Sequence, residues 1–274
     1  MIELPEARVL AQQLKETIVG KKIINVTTQK SPHKFAWFYG DPQGYHDLLS
    51  ERVVTGATHH AGMVEICTGG VNLLFGDGVN LRYYATDEKC PDKHQLDVEF
   101  EDGAHLLGSV QMYGGLWAFE EGTNDNPYYR TAKSKPSPLL DSFSEDYYDD
   151  LMRGSSDNLS LKAFLATEQR IPGLGNGVLQ DILFSAKLHP KKKIKSLSEV
   201  QKRTLYESIK RTLAKMSFEG GRDTERDLFG CTGGYQTILS KKTAGQPCDV
   251  CGTLVKKEAY MGGSVYICEG CQEL

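Results

Sequence analysis

The sequence lacks a long apolar run, and it has few cysteines beyond one short pattern. No apolar stretch reaches the roughly 18 to 20 residues that a membrane-spanning helix needs, and the N-terminus lacks the basic and then apolar pattern of a signal peptide. Three of the seven cysteines, Cys67, Cys90 and Cys231, are scattered as free thiols in a reducing compartment would be. These features predict a cytoplasmic protein that has no disulfide and does not contact a membrane.

Positive charge is scarce over the whole chain, but it is unevenly distributed. The formal net charge is −4. Residues 1–150 carry 13 Lys and Arg against 23 Asp and Glu, whereas residues 151–274 carry 19 against 13. The basic residues of the second part gather in clusters such as KKKIK at 191–195. A basic half suits a polyanionic partner, although any one cluster alone is equally consistent with a solvated helix face.

Four cysteines near the C-terminus have the spacing of a zinc site. Cys248 and Cys251 form one Cys-x2-Cys pair, and Cys268 and Cys271 form a second pair. Two such pairs can present four thiolates to one tetrahedral ion, and the residues between them read as a β-hairpin that turns at Gly262-Gly263. Four thiolates leave no open coordination position. The pattern therefore predicts one structural zinc ion per chain.

Periodicity predicts an α+β multidomain fold with an N-terminal β-sandwich. PEARVLAQQLKET reads as an amphipathic helix that flanks the sandwich and ends before Gly20. Short β-rich segments separated by glycines follow, among them VNLLFG, NLRYYA, HLLGSVQ and GLWAFEE as four separate strands. After them come four helical patterns. We expect the β-sandwich at 1–133, a linker at 134–145, a helical domain at 146–240 and a zinc finger at 241–274, with a mobile glycine-rich loop at 219–234.

A glycine-rich turn joins two of the predicted helices. In RIPGLGNGVLQD, the residues around Gly173, Gly175 and Asn176 place free backbone N–H groups at the start of the next helix. Such a turn can hold a phosphate, although an ordinary helix cap is the more common explanation when the turn is considered alone.

Together these motifs resemble the formamidopyrimidine-DNA glycosylase and endonuclease VIII family of base-excision repair enzymes. The resemblance runs through ELPEARVL, KHQLDVEFEDG, the helix-two-turn-helix segment LKAFLATEQRIPGLGNGVLQDILFSAKLHP, and GQPCDVCGTLV leading to CEGCQ. It implies that the helical domain is a helix-two-turn-helix domain and that the zinc finger also binds DNA. It further implies that Lys162 and Asn176 contact phosphates near the lesion, and that His94 contacts the backbone from the other side.

The family's chemistry uses the amine of an N-terminal proline to form a Schiff base with the sugar C1′ of a flipped nucleotide. Ile2 stands where that proline is expected, and initiator Met is normally removed only before small residues, so we expect Met1 to remain. If the enzyme is active, two nucleophiles are possible. One is the amine of Ile2, should Met1 be removed, and the other is the Met1 amine in a shifted geometry. Glu3 and Glu6 match the family's carboxylates, with Glu3 as the acid–base residue and Glu6 in support. Helix capping is the structural alternative for both.

Three further positions depart from the family pattern. Met63 stands at the position of a lysine that assists lesion processing. Gln111, Met112 and Tyr113 replace an Arg-Arg-Phe run, so we expect Met112, with Tyr113 beside it, to contact DNA as an apolar wedge. Gly263 replaces an arginine that holds the phosphates flanking the lesion.

The sequence therefore predicts a zinc-containing, monomeric DNA glycosylase with AP lyase activity that is associated with the nucleoid. Its partner is duplex DNA with a damaged base or an abasic site. The alternative is a catalytically impaired protein that binds lesions or junctions and has lost the attacking amine. An RNA-binding zinc protein is less favoured, because the resemblance spans both domains.

Overall fold

A computed structural model describes residues 1–274 and divides the chain into two compact units. The first unit contains Met1–Lys133 and Glu225–Gly233, and the second contains Ser134–Thr224 and Gly234–Leu274. The stretch 134–145, expected as a linker, therefore belongs to the second unit, and the glycine-rich loop 219–234 is divided between the two. None of the helices is both long enough and apolar enough to cross a membrane.

The first unit combines one long helix with a seven-stranded sheet. The helices are α1 (Leu4–Ile18), α2 (Tyr45–Leu49) and α3 (Pro127–Ser134), of which the last residue lies at the unit boundary. The strands are β1 (Ile23–Thr28), β2 (Ala36–Trp37), β3 (Gly56–His60), β4 (Met63–Cys67), β5 (Val71–Tyr84), β6 (Leu96–Phe100) and β7 (His105–Glu120). Their order in the sheet is β1-β6-β7-β5-β4-β3, and β2 pairs in parallel with β7.

Strands β5 and β7 connect the two halves of this sheet. They are 14 and 16 residues long and pair with each other along most of their length. Strand β4 pairs with the first part of β5, and β6 pairs with the first part of β7. The same two strands thus serve both layers of the sandwich, and the predicted fold class is confirmed.

The prediction of four short strands in this region was wrong, because glycines bend the chain here without ending the strands. A bulge interrupts the β5–β7 register between Asp77 and Val79. At Gly78 the strands approach so closely that an added Cβ would lie 2.2 Å from the Tyr113 carbonyl oxygen. A bulge bends its strand and re-aims the neighbouring side chain. Asp77, with a φ of +56°, is the residue that is re-aimed.

Helix α1 covers one face of the sheet, as its sequence predicts. Leu10, Leu14 and Ile18 follow each other at four-residue spacing and are at most 3% exposed. They share one apolar core with sheet residues such as Phe75 and Leu116. This packing fixes the chain immediately after the N-terminus.

The second unit is helical and ends in a two-stranded hairpin. Its elements are α4 (Glu145–Arg153), α5 (Leu161–Ala166), α6 (Val178–Ser185), α7 (Glu199–Phe218), β8 (Lys256–Tyr260) and β9 (Gly263–Ile267). Serine side chains cap α4, α5 and α7 by accepting a backbone N–H from the first turn. Phe143, within the expected linker, is fully buried and stacks on Tyr206. The hairpin turns at Met261-Gly262, one residue earlier than predicted, because Tyr260 pairs with Gly263.

Candidate nucleic-acid interface and N-terminal amine site

The free amine of the chain belongs to Met1 and lies beside a carboxylate. The Met1 ammonium group forms an ion pair with Glu225, which belongs to the same unit. The backbone amide of Ile2 donates a hydrogen bond to the Asp77 carbonyl oxygen at 2.8 Å, and the Ile2 side chain is 6% exposed within the core. Two positions can therefore carry an amine: Met1 beside Glu225, or Ile2 beside the Asp77 carbonyl after removal of Met1.

Glu3 and Glu6 are both buried at the start of α1, where they are 4% and 5% exposed. They form a reciprocal capping box, in which the Glu3 backbone N–H donates to Glu6 Oε2 at 3.3 Å. The helix-capping alternative is therefore present in the structure. Burial, followed by the negative charges of Asp77 and Glu3, raises the pKa of Tyr113. The Glu3 carboxylate thus acts electrostatically on β7 as well as on its own helix.

The positions that depart from the family pattern differ in exposure. Met63 is 3% exposed, whereas Met112 is 66% exposed. Tyr113 stacks on Trp37, with 5.6 Å between the ring centroids and 29° between the planes. Met112 is therefore placed to contact a ligand, while the ring of Tyr113 already has an aromatic partner.

His94 does not reach the surface, contrary to the predicted DNA contact. Its side chain is 1% exposed, and Nδ1 lies 3.0 Å from the Pro91 carbonyl oxygen. Nε2 has no hydrogen-bond partner and lies 4.0 Å from Asp97 Oδ2. Asp97 instead pairs with His105 at 2.9 Å. Direct contact between His94 and a DNA backbone is not available in this conformation, because the folded segment around it covers the imidazole.

In the second unit, Lys162 and Asn176 lie together against the hairpin. Lys162 Nζ donates to the Tyr260 carbonyl oxygen at 2.5 Å, and Asn176 Nδ2 donates to the Ser264 carbonyl oxygen at 2.9 Å. A Cβ added at Gly263 would lie 3.4 Å from Lys162 Nζ and 3.5 Å from Asn176 Oδ1. Three positions that the sequence separates by 101 residues therefore converge.

Both polar side chains in this cluster are partly desolvated. Lys162 is 4% exposed, and burial lowers the pKa of its ammonium group. Asn176 Oδ1 is buried without a hydrogen-bond partner. A buried cation gains from an anionic ligand that offsets the cost of its burial, whereas the unpaired Asn176 Oδ1 is an acceptor and can be satisfied only by a donor.

The sequence analysis missed Gln180, which attaches the hairpin to α6. Its Nε2 donates to the carbonyl oxygens of Asn176 and Ser264 at 2.8 and 3.2 Å, and its Oε1 accepts from the Tyr266 N–H at 3.1 Å. The available signal was the polar pair Gln180-Asp181 inside the otherwise apolar run VLQDILF. A buried amide with these bonds fixes the distance between hairpin and helix.

The four predicted cysteine ligands form one cluster whose sulfur atoms all lie within 4.8 Å of each other. The sulfur atoms of Cys251 and Cys268 are 3.3 Å apart, and those of Cys248 and Cys271 are 3.9 Å apart. Tetrahedral Zn–S bonds of about 2.3 Å give sulfur–sulfur distances of about 3.8 Å. The cluster can therefore hold a metal ion of this kind.

Segment 225–233 of the glycine-rich loop packs on the first unit. Gln13 on α1 donates to Asp227 Oδ2 at 2.8 Å and accepts from the Leu228 N–H at 3.0 Å. Arg82 on β5 donates to the Asp227 carbonyl oxygen at 2.8 Å. Leu228 is fully buried. These contacts hold Glu225 at the Met1 amine, a link that sequence reasoning missed because more than 200 residues separate the two positions.

The comparison with known proteins gives consistent results over the whole chain. Residues 135–226 match the family model "Formamidopyrimidine-DNA glycosylase H2TH domain". The formamidopyrimidine-DNA glycosylase of Lactococcus lactis subsp. cremoris is 28% identical, with 100% of both chains covered. That of Cronobacter sakazakii is 27% identical with the same coverage. The chain is therefore similar over its whole length to formamidopyrimidine-DNA glycosylases, and its residues 135–226 match the H2TH domain of that family.

Solved structures of this family share the fold. The Lactococcus lactis protein in complex with DNA containing an N7-benzyl-Fapy-dG superposes with a TM-score of 0.86, at 24% identity, over 99% of this chain and 100% of that one. The MutM protein of Thermus thermophilus superposes with a TM-score of 0.81, at 24% identity, over 98% of each chain. The fold of both units is therefore shared with these structures at low sequence identity.

Proposed function

We propose that the chain is a base-excision repair enzyme, a DNA glycosylase with AP lyase activity on damaged bases or abasic sites. The observation that carries this proposal is full-length similarity to DNA glycosylases, combined with a cluster of Lys162, Asn176 and the zinc hairpin that fits a phosphate. Duplex DNA is then the partner, bound by a monomer and, within the cell, at the nucleoid.

The second unit supplies the residues that bind the DNA backbone. Lys162 and Asn176, whose nitrogen atoms donate to the hairpin carbonyl oxygens of Tyr260 and Ser264, contact phosphates near the lesion. Positively charged and amide donors to phosphate oxygens fix the position of a protein on a duplex without reading its sequence. The basic clusters of residues 151–274 add a salt-sensitive contribution to affinity.

Zinc is the metal that the four thiolates fit best. A site of four cysteines in two Cys-x2-Cys pairs is typical of structural zinc. Cys248 and Cys268 share a small core with Phe184 of α6, so the ion stabilises the hairpin next to Lys162 and Asn176. The zinc positions DNA-binding groups and takes no part in the reaction.

The N-terminal amine supplies the nucleophile. Its lone pair attacks C1′ of the deoxyribose, and the base leaves with the bonding electrons and takes up a proton. Opening of the sugar ring, with protonation of the ring oxygen, gives the Schiff base. Glu3, at the start of α1 and next to Ile2 in the sequence, moves these protons, with Glu6 in support.

The direct test is borohydride trapping on a duplex that contains an abasic site. Reduction of a Schiff base produces a covalent protein–DNA band on a denaturing gel. We expect this band with the wild type and its loss with Glu3→Gln, whereas Glu16→Gln, an exposed carboxylate on the same helix, retains it. If the wild type gives no band under any condition, the AP lyase part of the proposal is wrong.

Intact-mass measurement of the purified protein identifies the amine. A mass that lacks Met1 assigns the nucleophile to Ile2, whose nitrogen lies 2.8 Å from the Asp77 carbonyl oxygen. A mass that includes Met1 assigns it to the amine that pairs with Glu225. Peptide mapping of the trapped band checks either assignment.

One set of observations favours a second function, that of a non-catalytic lesion or junction binder. The Met1 amine is already paired with Glu225, Ile2 is buried, and Met63 and Gly263 carry no charge. This alternative predicts salt-sensitive binding to damaged duplex without strand scission. A binding assay and a scission assay on the same duplex distinguish the two functions.

A further inference from the structure

An aromatic pocket opens in the first unit, beside the N-terminal site. Its volume is about 340 Å³, at the lower end of the roughly 300 to 1,000 Å³ typical of small-molecule sites. Strands β2, β4, β5 and β7 form its walls together with the start of α3. Its lining includes the side chains of Trp37, Asp77, Tyr113, Trp117, Asn126 and Tyr128.

The local backbone keeps this pocket open and directs an acid into it. Asp77 occupies the bulge of β5 with a φ of +56°, a conformation that is uncommon outside glycine and enriched at functional sites. On the facing strand, a Cβ added at Gly115 would lie 3.0 Å from Trp117 Nε1. Glycine at 115 therefore leaves room beside the Trp117 indole.

The chemistry of the lining is that of a site for a flat cation. Two indoles and two phenol rings line the pocket, and Trp37 and Tyr113 already stack on each other. The faces that remain open attract cations as well as stack on flat rings. Asp77 is the one charged residue of the lining, which has no Lys, Arg or His. Tyr128 Oη donates to Asp77 Oδ1 at 3.4 Å. Burial raises the pKa of the Asp77 carboxyl, so a cationic ligand that pairs with it offsets part of the desolvation cost.

Neutral nucleobases also stack on aromatic side chains, but they leave the carboxylate of Asp77 without a counter-charge. A flat ring that carries a full positive charge can both stack on the aromatic side chains and pair with the carboxylate of Asp77. An amide at Asn126 adds a polar group at the rim, and its Oδ1 already accepts the Tyr128 N–H at 2.9 Å.

We propose that this pocket binds a cationic nucleobase, a purine alkylated at a ring nitrogen, which stacks on the aromatic side chains and forms an ion pair with Asp77. The inference deepens the proposed function, on which it rests, because it names a class of damaged base that the enzyme selects. The site is separate from the phosphate-binding cluster of Lys162 and Asn176, which lies in the other unit.

Two isomeric nucleosides test the pocket without DNA. 1-Methyladenosine is a cation at pH 7, whereas N6-methyladenosine has the same composition and is neutral. The chain has only two tryptophans, Trp37 and Trp117, and both line the pocket, so intrinsic fluorescence reports on it directly. We expect quenching by 1-methyladenosine with a Kd at least tenfold lower than that for N6-methyladenosine. Equal affinities, or no saturable quenching by either nucleoside, would overturn the proposal.

Substitutions then test which residue causes the preference for 1-methyladenosine over N6-methyladenosine. Asp77→Asn keeps the side-chain shape and tolerates a positive φ, so we expect the discrimination to fall to within twofold while N6-methyladenosine binds as before. Asp87→Asn, at an exposed position, is the matched control and keeps the full discrimination. Trp37→Phe and Trp117→Phe each leave a single tryptophan as reporter, and both should still be quenched. Discrimination that survives in Asp77→Asn would contradict the proposed ion pair.

This test and the test of the proposed function can fail independently. Nucleoside binding does not depend on the amine or on the second unit, and borohydride trapping on an abasic site involves no base. Trapping without nucleoside binding would remove the pocket from the mechanism and leave the AP lyase intact. Selective nucleoside binding without trapping would support the pocket and favour the non-catalytic lesion binder.

Discussion

Gly263 leaves the proposed phosphate-binding cluster of the second unit, Lys162 and Asn176, without a second cation. Lys162 supplies the one charge, and Asn176 supplies a neutral donor. A Cβ at position 263 would be in ordinary van der Waals contact with both residues, and the glycine has no positive φ. A side chain can therefore be added here without backbone strain.

Gly263→Arg should strengthen the binding of duplex DNA with an abasic site. An arginine next to Lys162 offers a bidentate contact to phosphate, and one such bond contributes about 1.5 kcal/mol, or roughly tenfold in Kd. Fluorescence anisotropy at a fixed salt concentration measures the change. Gly263→Ala controls for the added Cβ and should leave Kd unchanged, whereas an arginine variant no tighter than the alanine variant would refute the phosphate site.

Asp181 is a buried acid whose protonation is coupled to folding. It is 1% exposed and accepts the N–H groups of Ile238 and Leu239 at 2.9 and 2.7 Å. Burial nevertheless dominates and raises its pKa to about 6. Because the folded-state pKa exceeds the unfolded one, the folded state binds this proton more tightly. The resulting stabilisation is fully present below the unfolded pKa of about 4 and is lost as the pH rises through about 6.

Asp181→Asn should therefore remove a pH dependence. The variant loses one acceptor and is less stable at low pH, by about 1 to 3 kcal/mol. Between pH 4 and pH 7 the wild type loses this stabilisation and the variant does not. The free energy of unfolding of the variant should therefore rise relative to that of the wild type by up to about 3 kcal/mol. Urea unfolding at several pH values measures both curves, and a constant difference between them would show that Asp181 does not titrate in this range.

At the scale of elements, the hairpin β8–β9 joins the four-cysteine cluster to the proposed phosphate-binding cluster. Its carbonyl groups at Tyr260 and Ser264 hold Lys162 and Asn176. Gln272 extends the link, because it accepts the Cys268 N–H at 3.0 Å and donates to the Leu188 carbonyl oxygen at 3.0 Å. Loss of a metal from the cysteine cluster should therefore displace Lys162 and Asn176, because backbone carbonyl groups of the hairpin hold both side chains.

Metal removal should lower both thermal stability and DNA affinity. Elemental analysis should find one zinc ion per chain, and a chelator should lower Tm, because binding energy at a structural site is folding energy. We expect Cys268→Ala to bind damaged duplex at least about tenfold more weakly, since the hairpin no longer orients two phosphate contacts. Cys90→Ala is the matched control. Unchanged DNA binding by a zinc-free protein would show that the hairpin folds without metal.

Elements with strong local signals could be predicted, and those set by contacts between strands could not. Helices α4, α5 and α7 follow serine caps and apolar periodicity, both of which are local. In the sequence, Gly76 and Gly78 of β5 and Gly114 of β7 look like strand breaks. In the structure β5 continues past the bulge at Asp77, because it stays paired with β7 on both sides of the bulge. The cysteine cluster that can hold a metal ion is encoded by spacing, whereas the ion pair of Met1 with Glu225 depends on tertiary packing alone.

At the scale of the whole molecule, charge is divided along the chain. Residues 1–150 carry a net charge of −10 and residues 151–274 a net charge of +6. DNA binding driven by counterion release depends on the cations that contact phosphate and not on the overall charge of the protein. The basic residues of the second part should therefore dominate the salt dependence, although the protein as a whole is acidic.

The triple variant Lys191→Gln, Lys192→Gln and Lys193→Gln tests this division. Each lost phosphate contact lowers the steepness of the plot of log K against log salt by about 0.9. The triple variant should lose up to about three such contacts, while its preference for damaged over intact duplex persists. Asp87→Asn with Glu88→Gln, two exposed acids of the first part, is the control and should leave the slope unchanged. If both variants shift the affinity by similar amounts with unchanged slopes, net charge governs binding and the basic cluster is an ordinary solvated surface. A reduced slope for the lysine variant alone would place the cluster on the phosphate backbone.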